Sequence, residues 1–243
     1  QAPILFLMPG MTGDITDPYV IGLIVEGLQQ GYHVCMYQMR ILNENFCVNE
    51  TKIFSHCEDV EESLKFIKNK YKKAQILAIG GSFGANNILY YLGVKHCKLP
   101  KEQKLVDACV SISNPFDMEL CAKIGERSFI HPLVALLEKK NSRKVRNSIE
   151  NCPYLKDMNT EELVNCDDLR KFDEIFSARL GGFKTADDYY RSISPKTKLV
   201  NIDIPVLCIH AKDDLFTPGI VIPYDDIKKN ENIILLVTDR GSH

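Results

Sequence analysis

Several things are missing from this sequence, and each absence removes a class of function. No apolar run approaches the length of a membrane span, and no segment has the charged start, apolar middle and small-residue cleavage site of a signal peptide. The net charge is only −2, with Lys and Arg scattered along the chain, which argues against a nucleic-acid surface. Arg143-Lys144-Val145-Arg146 is the only basic cluster and reads as a solvated helix face. The 9 cysteines are odd in number and contain no Cys-x-x-Cys pair, so neither zinc-ligand spacing nor a closed disulfide framework is supported. Reduced thiols in an intracellular compartment are the expectation. There is no internal repeat and no low-complexity tract. The lone sequon Asn49-Glu50-Thr51 reads as accidental, and the Asp-Asp pairs beginning at 167, 187 and 225 read as solvated helix starts.

What is present is enough for one substantial core: 243 residues, 45% hydrophobic, expected as one domain carrying an insertion. The chain starts at Gln1, inside a strand and without methionine, and stops at His243. The expectation is therefore of flanking sequence at both ends, in which a membrane-anchoring or targeting segment would lie out of view.

Read in order, Ile4 to Met8 is a continuous apolar run of the kind covered on both faces of a parallel sheet. Pro9 to Asp14 is a loop. Pro18 opens a helix through Ile21, Ile24, Val25 and Leu28 that Gly31 ends, and Val34 to Tyr37 is the next strand. Cys47 to Cys57 has loop character. Glu58 to Tyr71 is an amphipathic helix, Ile76 to Ile79 a buried strand followed by another helix, and Val106 to Ile112 a further strand. This alternation predicts a parallel α/β sheet over 1–115. From 116 to 201 the pattern turns to helices alone, marked by Leu133, Leu136 and Leu137, by Leu169, Phe172, Ile175 and Phe176, and by Tyr189 and Tyr190. Such a stretch between two strands reads as a helical cap inserted over the strand ends. The core resumes over 202–243 with strands at Ile204 to His210 and Ile233 to Val237 and a short helix between them.

The chemistry gathers at strand ends. Gly80-Gly81-Ser82-Phe83-Gly84 has the nucleophile-elbow pattern, and its place between an apolar strand and a helix lifts it above chance occurrence. A serine hydroxyl becomes nucleophilic when an imidazole takes its proton and an acid orients that imidazole. Parallel strands bring their C-terminal ends to one edge, so Ser82, an Asp after Ile204 to His210, and His243 can converge. Asp213 and Asp214 both follow that strand. Pro218, four residues beyond Asp214, favours Asp214 and leaves Asp213 as a turn residue. Of the other histidines, His33 and His210 read as packing or turn residues, and His56, His96 and His131 lie on the wrong side of the topology. Oxyanion donors are expected from the backbone N–H of Phe83 and of Met11.

These residues together resemble one branch of the α/β-hydrolases: the YheT-like bacterial esterases, their plant embryogenesis-associated homologues, and the animal phospholipase and acylglycerol lipase members. Met8-Pro9-Gly10-Met11-Thr12-Gly13 resembles that branch's oxyanion loop, and Gly241-Ser242-His243 its histidine loop. Asp168-Leu169-Arg170-Lys171-Phe172-Asp173, with Gly182-Phe183, Asp188-Tyr189-Tyr190 and Ser194-Pro195, resembles its cap signature, which other α/β-hydrolases do not share. The resemblance implies a mostly parallel sheet with the cap between the sixth and seventh strands of the fold. It also implies lipid or small acyl esters as substrates. The resemblance departs at Phe83 and Ala85 in the elbow, where Phe83 is expected to narrow the acyl pocket, and at Gln38-Met39-Arg40-Ile41. The branch carries further strands before this chain's first, so Val34 to Tyr37 is expected as a sheet edge open to a protein partner.

The expectation is thus a serine esterase or lipase needing no metal or organic cofactor. The alternative is a catalytically silent scaffold subunit, and transfer of the acyl group to an alcohol is not separable from hydrolysis by sequence.

Overall fold

The computed structural model describes residues 1–11, 13–39, 56–126, 146, 150, 157–166 and 168–243. The helix expected around Leu133, most of the Cys47 to Cys57 loop, the sequon, His131, most of the basic cluster, Thr12, Arg40, Ile41 and Asp167 lie outside them.

Six strands form one sheet: β1 (Ile4–Met8), β2 (His33–Met36), β3 (Ile76–Gly81), β4 (Ala108–Ile112), β5 (Val206–Ala211) and β6 (Ile233–Thr238). Their order is β2-β1-β3-β4-β5-β6, and every pairing is parallel. β2 and β6 are the two edges. The chain leaves β1 toward one side and returns as β3 on the other. The C-terminal crevice between β1 and β3 is therefore a topological switch point, the usual place for a site in such a sheet. All five residues of β1 are buried, which is why it reads as an unbroken apolar run and not as an alternation.

The crossovers are α1 (Pro18–Gln29), α2 (His56–Lys70) and α3 (Phe83–Val94). In α2, Val60, Leu64 and Ile67 bury one face, while Glu58 and Asp59 in the first turn and Lys68 and Lys70 in the last complement the helix dipole. α3 is buried nearly all round, through Phe83, Ala85, Ile88, Leu89, Tyr91 and Leu92, as suits a central helix. Ile4, Phe6, Met8, Ile76 and Ala78 point to the sheet face that meets α2 and α3 and form the main core with them.

By contacts the chain divides into two units. One comprises Gln1–Gln38, His56–Asp117 and Ile193–His243 and holds the whole sheet. Leu199, buried in the sheet's core, belongs to it. The other comprises Met39–Ser55 and Met118–Ser192. Among its described residues it is helical: α4 (Met118–Gly125), α5 (Thr160–Val164), α6 (Leu169–Ile175), α7 (Ser177–Gly181) and most of α8 (Ala186–Ile193). A last short helix, α9 (Tyr224–Ile227), precedes β6.

Inside the second unit the signature residues brace one another. Asp168 caps α6 by accepting the Lys171 N–H at 2.7 Å. Arg170 reaches Asp187 at 2.6 Å and Glu126 at 3.3 Å. Tyr190 donates its hydroxyl to the buried Asp173 at 2.5 Å.

Candidate active site

The strand-to-helix turn after β3 puts Ser82 at φ 52°, ψ −120°, a backbone state that an L-residue holds only under constraint. Two backbone bonds pin it: its N–H donates to the Ile112 carbonyl at 2.8 Å, and its carbonyl accepts the Asn86 N–H at 3.0 Å. The flanking glycines follow from packing. A Cβ on Gly84 would lie 2.0 Å from the Met8 carbonyl oxygen, and one on Gly80 would lie 2.6 Å from the Ala85 Cα. The helix can thus start this close to β1 and β3 only without side chains at 80 and 84. Ala85, the departure noted in the sequence, is fully buried, and Phe83 is buried beside it.

Beyond β5 the chain turns tightly around Asp214, which is 2% exposed. Its Oδ1 accepts the N–H groups of Phe216 and Thr217, each at 2.9 Å. Its Oδ2 accepts the Thr217 hydroxyl at 2.7 Å and lies 2.8 Å from His243 Nδ1. Burial works against ionisation, but the bonds from His243 and from the Thr217 amide and hydroxyl outweigh it and hold the carboxyl down at about 2. An ionised carboxylate only accepts, so Nδ1 of His243 carries the proton. Nε2 is left to accept the Ser82 hydroxyl, 2.9 Å away. The His243 ring also leans on Phe216, with centroids 5.1 Å apart. Ser82, Asp214 and His243 are thereby brought into one continuous chain of hydrogen bonds.

Asp213 does something different, for which its place in the turn was the single cue. Its Oδ1 accepts the N–H of Ser242 at 2.9 Å, and Ser242 sits at φ 57°, so Asp213 anchors the loop that delivers His243. On the opposite side, the loop after β1 runs against the serine: a Cβ on Gly10 would be 3.4 Å from Ser82 Cβ. Gly10 donates its N–H to the Tyr19 hydroxyl at 3.1 Å. Met11 follows it in the turn, and Phe83 follows Ser82 as the first residue of α3. Both expected amide donors thus belong to backbone within one residue of the serine or of the loop touching it. Tyr19 and Thr217 are the contributors here that no sequence pattern singles out.

Two other histidines, His33 and His96, are occupied elsewhere. His33 stacks on Tyr71 at 5.3 Å, and His96 Nε2 accepts the Val106 N–H at 3.1 Å. Burial first, then the Lys104 ammonium, push His96 down to about 4. Cysteines offer no rival nucleophile in the sheet unit's interior, since burial pushes the Cys57 and Cys208 thiols up to about 12. Among the described residues no group of three or more His, Cys, Asp or Glu could share a metal ion. A cavity of about 80 Å³ lies at the ends of β1, β3 and β4, lined by apolar side chains including Leu7, Leu23, Ile79 and Ile112, with Tyr19 and Gly81.

Comparison with known proteins agrees with this fold. The chain is 29% identical over 247 residues to a phospholipase, ABHD3, of Bos taurus, covering 99% of this chain and 57% of the relative. It is 29% identical over 246 residues to the putative esterase YheT of Escherichia coli, covering 99% of this chain and 69% of the relative. It thus spans little more than half the length of the phospholipase relatives it matches. Among solved structures, an esterase of Pyrococcus furiosus superposes with a TM-score of 0.60 at 18% identity, covering 99% of this chain and 74% of that one, which is a likeness of fold. The profile of the alpha/beta hydrolase fold matches residues 3–131, the stretch that carries the first strands, the Gly10 loop and the elbow, and the chain belongs to that family.

Proposed function

We propose that this protein is a serine hydrolase cleaving the carboxylic ester bonds of lipids or small acyl esters through an acyl-enzyme. The observation that carries this reading is the run of contacts from Ser82 Oγ to His243 Nε2 at 2.9 Å and from His243 Nδ1 to Asp214 Oδ2 at 2.8 Å. In the first step Ser82 Oγ attacks the ester carbonyl while His243 Nε2 takes its proton. The ionised Asp214 stabilises the resulting imidazolium through the Nδ1–H bond. The backbone amides of Phe83 and Met11 donate to the tetrahedral oxyanion. Collapse expels the alcohol, which receives the proton from Nε2. Water then attacks the acyl-enzyme with the same imidazole as base, releasing the acid and restoring Ser82. An alcohol in place of that water gives transacylation by the same steps.

The relatives' names, phospholipase, putative esterase and, in Saccharomyces cerevisiae, monoacylglycerol lipase, support lipid esters as the substrate class. The apolar lining beside the elbow suits an acyl chain better than a charged group. The test is acid release from p-nitrophenyl esters and monoacylglycerols of graded chain length. Ser82→Ala should lower turnover by at least about 10³-fold while leaving the fold intact. A folded wild type that hydrolyses none of them, with the variant indistinguishable from it, would favour a silent scaffold instead.

A further inference from the structure

One buried histidine beside the site takes no part in the chemistry just described. His210, in β5, is 1% exposed, and its ring lies 6.1 Å from that of Phe116. Its Nε2 is 2.7 Å from the carbonyl oxygen of Thr217. A carbonyl can only accept, so Nε2 carries the hydrogen and donates. Nδ1 has no hydrogen-bond partner among the described residues, which suits a neutral ring and would strand a donor on an imidazolium. Burial pushes the ring's pKa down, and although the Thr217 bond and the Asp214 charge oppose this, the net direction is downward.

Thr217, itself 4% exposed, stands between this histidine and the acid. Its N–H donates to Asp214 Oδ1 at 2.9 Å and its hydroxyl to Asp214 Oδ2 at 2.7 Å. The hydroxyl also lies 3.4 Å from the Ser113 carbonyl, but the shorter, charge-assisted contact takes its single hydrogen. Thr217 therefore fixes both carboxylate oxygens, and on the other side of its Cα its carbonyl is held by the His210 ring. Turning the Thr217 backbone about its Cα, which the bond to its carbonyl resists, would shift the amide and the hydroxyl relative to Asp214.

We propose that His210 is a positioning residue for the acid: by holding the Thr217 carbonyl from behind, it sets how Thr217 presents its amide and hydroxyl to Asp214, and so how His243 is aimed at Ser82. This rests on the reading of Ser82, His243 and Asp214 as the reacting groups. Packing alone would predict something different. If His210 only filled space, a leucine of similar reach would serve as well as a polar replacement.

Two variants and two measurements separate the cases. His210→Leu removes the donor, whereas His210→Gln places an amide N–H near the position of Nε2. The first measurement is the rate of labelling by a fluorophosphonate. The second is the downfield proton NMR signal of His243 Nδ1–H, assigned by its loss in His243→Ala. The leucine variant should label about tenfold more slowly, with its downfield signal broadened or shifted, as expected for a small misplacement of a reacting group. The glutamine variant should return both toward wild type. With an ester substrate the loss should fall on kcat, leaving KM unchanged.

Should the leucine variant fail to fold by circular dichroism, His210→Asn replaces it with the same expectation, because its shorter amide stops short of the Thr217 carbonyl. A folded donor-free variant with wild-type rate and signal would overturn the proposal. So would a glutamine variant as impaired as the donor-free one, or a wild type lacking the downfield signal. If the wild type shows the signal but is not labelled, the serine reading falls alone. The signal needs only the His243–Asp214 bond and still decides the part played by His210.

Discussion

Two aspartates, one in each unit of the molecule, are almost equally buried and have been driven in opposite directions. Asp214 in the sheet unit is 2% exposed and held at about 2; Asp173 in the helical unit is 7% exposed and raised to about 6. Burial raises both. Among the described residues Asp173 has only two neutral hydroxyls to offset it, from Ser177 and Tyr190, and the nearby Glu174 adds to the rise. Asp214 has two backbone amides, a hydroxyl and the imidazole of His243. The number and kind of donors, and not depth, therefore decide whether a buried carboxyl is kept as an anion. An anion is what the site needs beside His243, while the brace between α6 and α8 needs only a hydrogen-bond acceptor.

Asp214→Asn keeps the shape but lets the amide donate to His243, which favours the wrong tautomer. The labelling rate of Ser82 by a fluorophosphonate should fall on the order of 10³- to 10⁴-fold. A fall of tenfold or less would mean that the imidazole is oriented by something else.

Asp173→Asn should act on stability, and with a distinct pH signature. A carboxyl raised from 3.8 to about 6 on folding contributes stability that is fully present below 3.8 and lost as pH rises through 6. The asparagine variant should gain up to about 3 kcal/mol over wild type at pH 8 in urea unfolding, shrinking toward zero near pH 4.

Asp214 has the opposite sign. Its stabilisation is fully present above 3.8 and disappears as pH falls toward about 2, a contribution of about 2 kcal/mol that Asp214→Asn should abolish from the acid limb of the unfolding curve. The smallest effect is expected from Tyr190→Phe. It removes one of the few donors to Asp173 and should cost about 1 kcal/mol or more at pH 8, and less at pH 5, where the carboxyl is protonated. Equal costs at the two values would mean that Tyr190 contributes by packing and not by its hydroxyl.

How much of this could be read beforehand depended on the range of the interaction. The strands were legible because burial on both faces leaves continuous apolar runs, Ile4 to Met8 above all. Ser82 was legible because Gly80 and Gly84 are forced by backbone approach within a few residues. Asp214 and His243 followed from chain order once the sheet was parallel. Asp213 holding Ser242 and Tyr19 holding Gly10 left no trace, since each joins a common residue type to a backbone group 29 or 9 residues away, with no sequence period linking the two. The His210–Thr217–Asp214 links were hidden for the same reason. Helix α5, of 5 residues, is too short to show a periodicity, and only its Asn159 cap marks it.

Whether Ser82 is an activated nucleophile is decided by fluorophosphonate labelling of the wild type beside Ser82→Ala and His243→Ala, with peptide mapping of the modified residue. A single adduct on Ser82 is expected in the wild type and none in either variant. A folded wild type that stays unmodified, or an adduct that survives in His243→Ala at the wild-type rate, would contradict it.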